Sequence, residues 1–281
     1  MPEGQVIPVE QIEAASPYEL RVDGAKHVPE ADVRAALASG DMGFLHSFTT
    51  GSAVDGPGIR VVAWTSGCMW RCRYCHNPDT WKMTNGIPVS LEQATAQLRK
   101  YTRGLKSMSG GLTVSGGEPL MQHRFVLKLF AAARAMGVHT VLDTNGYFGD
   151  RVSDEDLETI DLVMLDLKTW DRDRHIHLVG MDNAPTHAFA RRLAQLRRPV
   201  WIRYVLVPWL TDDPDDIGRT AAFAAELGVV ERVDVLPFHQ MGRSKWQRLG
   251  LEYTLDHAQP PTVEVVERTC EIFRKAGLKA Y

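Results

Sequence analysis

Two patterns of apolar residues alternate along the chain after residue 43. Short runs of aliphatic and β-branched residues at 44–48, 59–65, 112–115, 139–143, 162–166, 200–207 and 233–236 read as strands. Between them, segments with apolar residues three and four apart predict helices over 91–103, 123–136, 186–196, 215–227 and 263–276. Gly137, Gly228 and Gly277 sit just past three of these, where a helix often ends in a left-handed residue. Such alternation predicts an α/β fold, a parallel sheet with crossover helices. Residues 1–42 carry little periodicity beyond a short helix expected over 29–38 and ending at Ser39-Gly40. The expected division is therefore a partly ordered N-terminal extension, 1–42, and one domain, 43–281.

The predicted strands share a second regularity. Their tails are polar or glycine-rich: Ser115-Gly116-Gly117-Glu118, Asp143-Thr144-Asn145-Gly146, Asp166-Leu167-Lys168 and Pro237-Phe238-His239. Barrel enzymes place reacting groups at the carboxyl ends of parallel strands, so these tails and the loop after 59–65 are expected to converge on one mouth. Composition narrows the choice by exclusion. The 281 residues, 44% hydrophobic and 24% charged, suit a soluble globular protein, and a net charge of −3 gives no basic excess to draw nucleic acid or an acidic membrane. No apolar run approaches the roughly 20 residues that cross a bilayer, and the acidic start lacks a signal-peptide layout. A cytoplasmic enzyme, monomeric by default, is expected.

The chemistry lies in the loop after 59–65. Three of the four cysteines fall in Cys68-Met69-Trp70-Arg71-Cys72-Arg73-Tyr74-Cys75. Thiolates this close cannot span the chain with disulfides but can wrap a compact metal centre. A structural zinc site closes with four ligands, and His76 is poorly placed to fold back as the fourth. Three thiolates on a [4Fe-4S] cluster leave one iron open, as a catalytic site requires. Cys270 lies among Val263, Val266, Ile272 and Phe273 on a predicted helix and reads as a buried, inert thiol. Ligands for further clusters are lacking.

The C-x3-C-x2-C spacing with an aromatic before the last cysteine resembles the radical S-adenosylmethionine (SAM) superfamily. More specific segments, Val54-Asp55-Gly56-Pro57-Gly58-Ile59-Arg60, Tyr74-Cys75-His76-Asn77, Asp143-Thr144-Asn145-Gly146, the run from Asp161 to Lys168 and Trp201-Ile202-Arg203-Tyr204-Val205, resemble the pyruvate formate-lyase activating enzymes. The resemblance runs from about Gly43 to the C-terminus. It implies a partial, open (β/α)6 TIM-like barrel. It also implies reductive cleavage of SAM at the cluster, with hydrogen abstraction from a backbone glycine of pyruvate formate-lyase, and flavodoxin or ferredoxin as electron donor.

The resemblance further implies roles for individual residues. Gly116, Gly117 and Glu118 would meet the amino group of SAM, although Glu118 is also placed to cap the helix beginning near His123. Asp166, Leu167, Lys168 and His239 would line the SAM site, and Tyr74, Cys75 and His76 the adenine. Arg203 either contacts SAM or balances acidic groups. Asp143, Thr144, Met164 through its carbonyl, and Asp166 would hold Na⁺ or K⁺; an ordinary hydrogen-bonded Asp143 is the alternative. Lys168 is otherwise a solvated lysine or a partner of Asp166. Asp55, Gly56 and Gly58 would face the glycyl loop of the partner, or form only a turn before a strand. Two other functions stay open: activation of another glycyl-radical enzyme, such as anaerobic ribonucleotide reductase, or of a small molecule, and a noncatalytic zinc-binding module.

Overall fold

The computed structural model describes residue 35 and residues 37–281, with the backbone of Glu19–Leu20. Most of the extension expected over 1–42, and most of the helix expected over 29–38, lie outside the described residues; residues 37–39 are helical. The described chain divides into two units, each drawn from several segments, and the division falls between Met69 and Trp70, inside the cysteine loop.

The first unit holds strands β1 (Glu19–Leu20), β2 (Met42–Ser52), β3 (Arg60–Thr65), β4 (Ile87–Ser90), β5 (Gly111–Gly116) and β6 (His139–Thr144). Its helices are α1 (Leu91–Arg99), α2 (Thr102–Ser107), α3 (His123–Ala135) and α4 (Asp154–Leu157). Strands β3, β5 and β6 run parallel in register, Val62 beside Thr113 and Thr113 beside Val141. β2 pairs antiparallel with β1, β3 and β4, so the expected strand at 44–48 is a long hairpin arm and not a member of the parallel series. The five residues from Gly111 to Ser115 are all buried, as expected of a parallel strand covered on both faces. Phe125, Val126, Leu129, Phe130 and Ala133 form the buried stripe of α3. Ser90 and Gln93 close a capping box that starts α1.

The second unit holds β7 (Leu162–Asp166), α5 (Arg172–Val179), α6 (Ala184–Gln195), β8 (Val200–Leu206), α7 (Pro214–Glu226), β9 (Val230–Pro237), α8 (Arg243–Arg248) and α9 (Val263–Lys275). Here β7, β8 and β9 are parallel, with Asp166 beside Arg203 and Arg203 beside Asp234. Beyond α9, residues 279–281 bond to β9, Val233 N–H donating to the Lys279 carbonyl at 2.8 Å. Six strands thus run parallel to a neighbour within their unit, and the architecture is α/β with a mostly parallel, open sheet. Cys270 is buried on α9, as its apolar setting predicts.

The elements depart from expectation in several places. The helix expected over 91–103 breaks at Lys100-Tyr101 into α1 and α2. β4 and α8 were not anticipated. Between the predicted strand at 162–166 and the predicted helix at 186–196, where no element is expected, lies α5, capped at its start by the Asp171 side chain and at its end by Gly180.

Candidate cofactor site

On the first unit, the residues before Cys68 are clamped by main chain. Gly67 N–H donates to the Thr80 carbonyl at 2.6 Å, and Cys68 N–H to the Trp81 carbonyl at 3.1 Å. From above, Gly117 N–H reaches the Thr65 carbonyl at 2.8 Å and Glu118 N–H reaches the Gly67 carbonyl at 2.7 Å. This close approach is what the two glycines permit. A Cβ on Gly116 would stand 2.2 Å from Thr65 N, and one on Gly117 would stand 2.3 Å from Gly67 O. Gly116 also has φ of 119°, which L side chains avoid.

Glu118 is fully buried. Its carboxylate accepts from Leu120 N–H at 2.9 Å, capping the 3-10 turn Pro119–Gln122, and from the Thr144 hydroxyl at 2.7 Å. Glu118 thus caps this 3-10 turn and not the helix beginning at His123, whose N-cap Gln122 makes no side-chain capping bond, and the same carboxylate oxygen holds the Thr144 hydroxyl. Asp143 accepts the Ser115 hydroxyl at 2.6 Å. The tails of β5 and β6 are in this way cross-linked side chain to side chain.

The Asp55-Gly56-Pro57-Gly58 loop sits at the other end of β3. Asp55 is 6% exposed; its carboxylate takes the Ser52 hydroxyl at 2.5 Å and its carbonyl the Thr113 hydroxyl at 2.6 Å. Gly56 and Gly58 have φ of 127° and 67°.

On the second unit, the remainder of the cysteine loop rests on α5. Arg71 N–H donates to the Val179 carbonyl at 2.8 Å and Arg73 N–H to the Leu178 carbonyl at 3.1 Å, supplying partners to the unsatisfied carbonyls of the last helical turn. Trp70 is buried with its ring edge-on to buried His175, 4.9 Å between centroids. Cys75 N–H closes a turn onto the Cys72 carbonyl at 3.0 Å. The far end is gripped from α8 and the turn before it: Trp246 Nε1 donates to the Cys75 carbonyl at 2.8 Å, Lys245 Nζ to Asn77 Oδ1 at 2.9 Å, and Gly242 packs on the Cys75 and His76 backbone.

Around the cysteines of this unit stand Lys168, Asp166, Tyr74, His76 and His239. Lys168 Nζ lies 2.9 Å from Asp166 Oδ2 and 5.4 Å from the Tyr74 ring centroid. The pairing given above as the alternative for Lys168 is therefore present, and its Lys168 side chain is only 7% exposed. Burial opposes the ammonium, but Asp166, Tyr74 and Cys72 outweigh it and hold its pKa above the usual lysine value. Leu167 N–H donates to the Arg203 carbonyl at 3.2 Å, which fixes the start of the Asp166-Leu167-Lys168 tail. Met164 is buried within β7. His76 and His239 stack at 3.9 Å. Burial, then the neighbouring His239, lowers the His76 pKa to about 4.

Among the described residues no three His, Cys, Asp or Glu side chains gather closely enough to ligate one ion, as a mononuclear zinc site would need. The donor set instead fits an iron–sulfur cluster. None of Cys68, Cys72 and Cys75 is disulfide-bonded, and each is half-buried. Burial pushes the Cys72 thiol up to about 12, partly offset by Lys168, so a metal must displace its proton. Buried polar atoms of the same loop, Trp70 Nε1 and His76 Nε2 among them, lack a hydrogen-bond partner among the described residues, where buried polar atoms ordinarily find one.

Several contributors escaped the sequence: Arg60, Trp70, His175, Gly242, Lys245 and Trp246. Only Trp70 carried a local signal, an aromatic between two ligands.

Comparisons with known proteins agree with this donor set. Residues 54–175 match the family model of a 4Fe-4S single cluster domain. The pyruvate formate-lyase 1-activating enzyme of Escherichia coli is 44% identical over 240 residues, 85% of this chain and 98% of that protein. A solved domain of a pyruvate-formate lyase-activating enzyme from Bacteroides vulgatus superposes with a TM-score of 0.52 at 28% identity, over 61% of this chain and 98% of that one. A radical SAM methyltransferase from Sphaerobacter thermophilus shares the fold, with a TM-score of 0.56 at 17% identity over 90% of this chain and 81% of that one.

Proposed function

The chain belongs to the family of pyruvate formate-lyase activating enzymes, and from that premise we propose that it installs the glycyl radical of pyruvate formate-lyase. The observation that carries this reading is a likeness of 44% identity over 240 residues, spanning 98% of the relative's length. Cys68, Cys72 and Cys75 hold a [4Fe-4S] cluster. When bound, the cluster and SAM supply a species that removes a hydrogen atom from glycine, chemistry that needs no general base.

The chain's own residues bind and orient. With the Gly117 and Glu118 N–H groups already spent on the carbonyls of Thr65, at the end of β3, and of Gly67, what this strap presents to a SAM ammonium is acceptors: carbonyls and the Glu118 carboxylate. Tyr74, Cys75, His76 and His239 flank the adenosine, the stacked histidines offering a flat, uncharged surface because burial keeps His76 neutral at pH 7. Asp166, Leu167, Lys168 and Arg203 line the same pocket, the buried ammonium of Lys168 balancing Asp166. Asp143, Thr144, the Met164 carbonyl and Asp166 take a monovalent cation, Na⁺ or K⁺, whose charge relieves the repulsion of two carboxylates. Asp55, Gly56 and Gly58 receive the glycyl loop.

The remaining assignments have the same standing. Flavodoxin or ferredoxin supplies the electron, residues 43–281 act as one domain behind an extension at 1–42, and the enzyme works as a cytoplasmic monomer. Among the described residues no helix is long and apolar enough to cross a membrane. Anaerobic reconstitution tests the cofactor assignment: about four iron and four sulfide per chain, and release of 5′-deoxyadenosine on reduction with SAM. One zinc without sulfide would overturn it.

A further inference from the structure

Arg60 is the last residue of the Val54–Arg60 motif and among the largest fully buried side chains of the chain. Among the described residues its guanidinium has no carboxylate partner at ion-pair distance. Nε donates to the Thr113 hydroxyl at 3.0 Å, Nη1 to the Pro57 carbonyl at 3.1 Å, and Nη2 to the carbonyls of Leu112 at 2.7 Å and His139 at 3.3 Å. His139 Nδ1 lies 3.4 Å from Nη1. A buried charge paired only with neutral acceptors is costly for stability, and burial draws its pKa down to about 10. What the fork gains is geometric. One rigid plane spans β3, β5 and β6 and reaches into the loop between β2 and β3.

The loop it reaches is held both by its own Ser52–Asp55 bond and from the sheet. Gly56 and Gly58 put two residues with positive φ into one stretch, which maximises backbone freedom in the absence of a clamp. Two of its carbonyls are fixed by the same group of side chains: Pro57 O by Arg60 directly, and Asp55 O by the Thr113 hydroxyl that itself accepts from Arg60 Nε. A Cβ on Gly56 would stand 3.2 Å from Arg60 Nε, so the loop lies directly against the guanidinium. Above this clamp the chain turns outward, with Val54 76% exposed and Gly58 exposed.

We propose that Arg60, acting through Thr113, is the positioning residue that presets the Asp55-Gly56-Pro57-Gly58 loop to receive the extended backbone of the partner's glycyl segment. This rests on the reading of that loop as the peptide-binding element. Preorganisation of this kind lowers the ordering cost of binding and leaves the chemistry at the cluster untouched.

The test compares Arg60→Lys, Thr113→Val and Thr113→Ser in the reconstituted holoenzyme, each confirmed folded by circular dichroism. Half-saturation by pyruvate formate-lyase is read against SAM binding and partner-free SAM cleavage. Loss of the hydroxyl's two buried hydrogen bonds, to Arg60 and to the Asp55 carbonyl, predicts a rise in half-saturation of at least roughly five- to tenfold for Thr113→Val, with SAM binding unchanged and with Thr113→Ser near the parent. Arg60→Lys should match or exceed Thr113→Val. If Arg60→Lys fails to fold, the Thr113 pair decides alone. Unchanged half-saturation for a folded Thr113→Val overturns the proposal. Asp55→Asn separates the two layers: if it raises half-saturation and Thr113→Val does not, the loop reading stands and the clamp falls; if neither does, the loop reading itself fails.

Discussion

Gly117 leaves no space between its own backbone and that of Gly67, the residue before Cys68. Alanine there would put a methyl 2.3 Å from a carbonyl oxygen that no side-chain rotation can move away. Gly117→Ala is expected to cost at least about 2 kcal/mol and to lower iron bound per chain. Gly180→Ala is the control. Its Cβ would meet nothing within 4 Å, so only the left-handed φ of 85° is penalised, about 1–2 kcal/mol, with iron content preserved. Urea midpoints and iron analysis of the two variants check this; equal iron loss in both would contradict it. The cysteine triplet was legible in the sequence because its spacing is local. The strap role of Gly116-Gly117 was only half legible: the pair signalled close approach, and the sequence could not say that the thing approached is the cysteine loop itself. Arg60 was invisible as a buried group because a charged residue at the end of a turn motif reads as solvated.

At the level of elements, α5 is the part of the molecule the sequence concealed. Arg172-Asp173-Arg174-His175-Ile176-His177-Leu178-Val179 has five charged or imidazole side chains and almost no apolar stripe. Its boundaries were nevertheless written in Asp171 and Gly180, a cap at each end without a pattern between. The strands and longer helices were found because they bury a regular face; α5 buries His175, Leu178 and Val179 at the end that carries the cysteine loop. His175→Ala removes the ring that supports Trp70 and a 2.7 Å bond to the Met181 carbonyl. The expected cost is about 2–4 kcal/mol, accompanied by faster amide exchange at Arg71 and Arg73 and faster loss of the cluster to chelators. Parent-like exchange and cluster lifetime in a destabilised His175→Ala would mean that α5 does not carry the loop.

Across the whole molecule, neutral buried imidazoles set the response to acid. Burial lowers the pKa values of His139 and His175, and burial with Arg191 lowers that of His187, stacked on Trp170 at 5.0 Å, to about 4. In the unfolded chain these groups titrate near 6.5, so between about 6.5 and 4 the unfolded state binds more protons and stability falls as pH falls. Urea midpoints of the protein without its cluster should therefore drop from pH 7.5 to pH 5; constant or rising midpoints would contradict the assignment. The likeness over 98% of a curated relative, the parallel strands and the three clustered cysteines all bear on one claim, that this chain makes a radical on another protein. The most direct measurement is an electron paramagnetic resonance spectrum of pyruvate formate-lyase after anaerobic incubation with the reduced, reconstituted enzyme and SAM. A glycyl-radical doublet, absent with Cys72→Ala, is the predicted result; no doublet from a preparation that still cleaves SAM would contradict it.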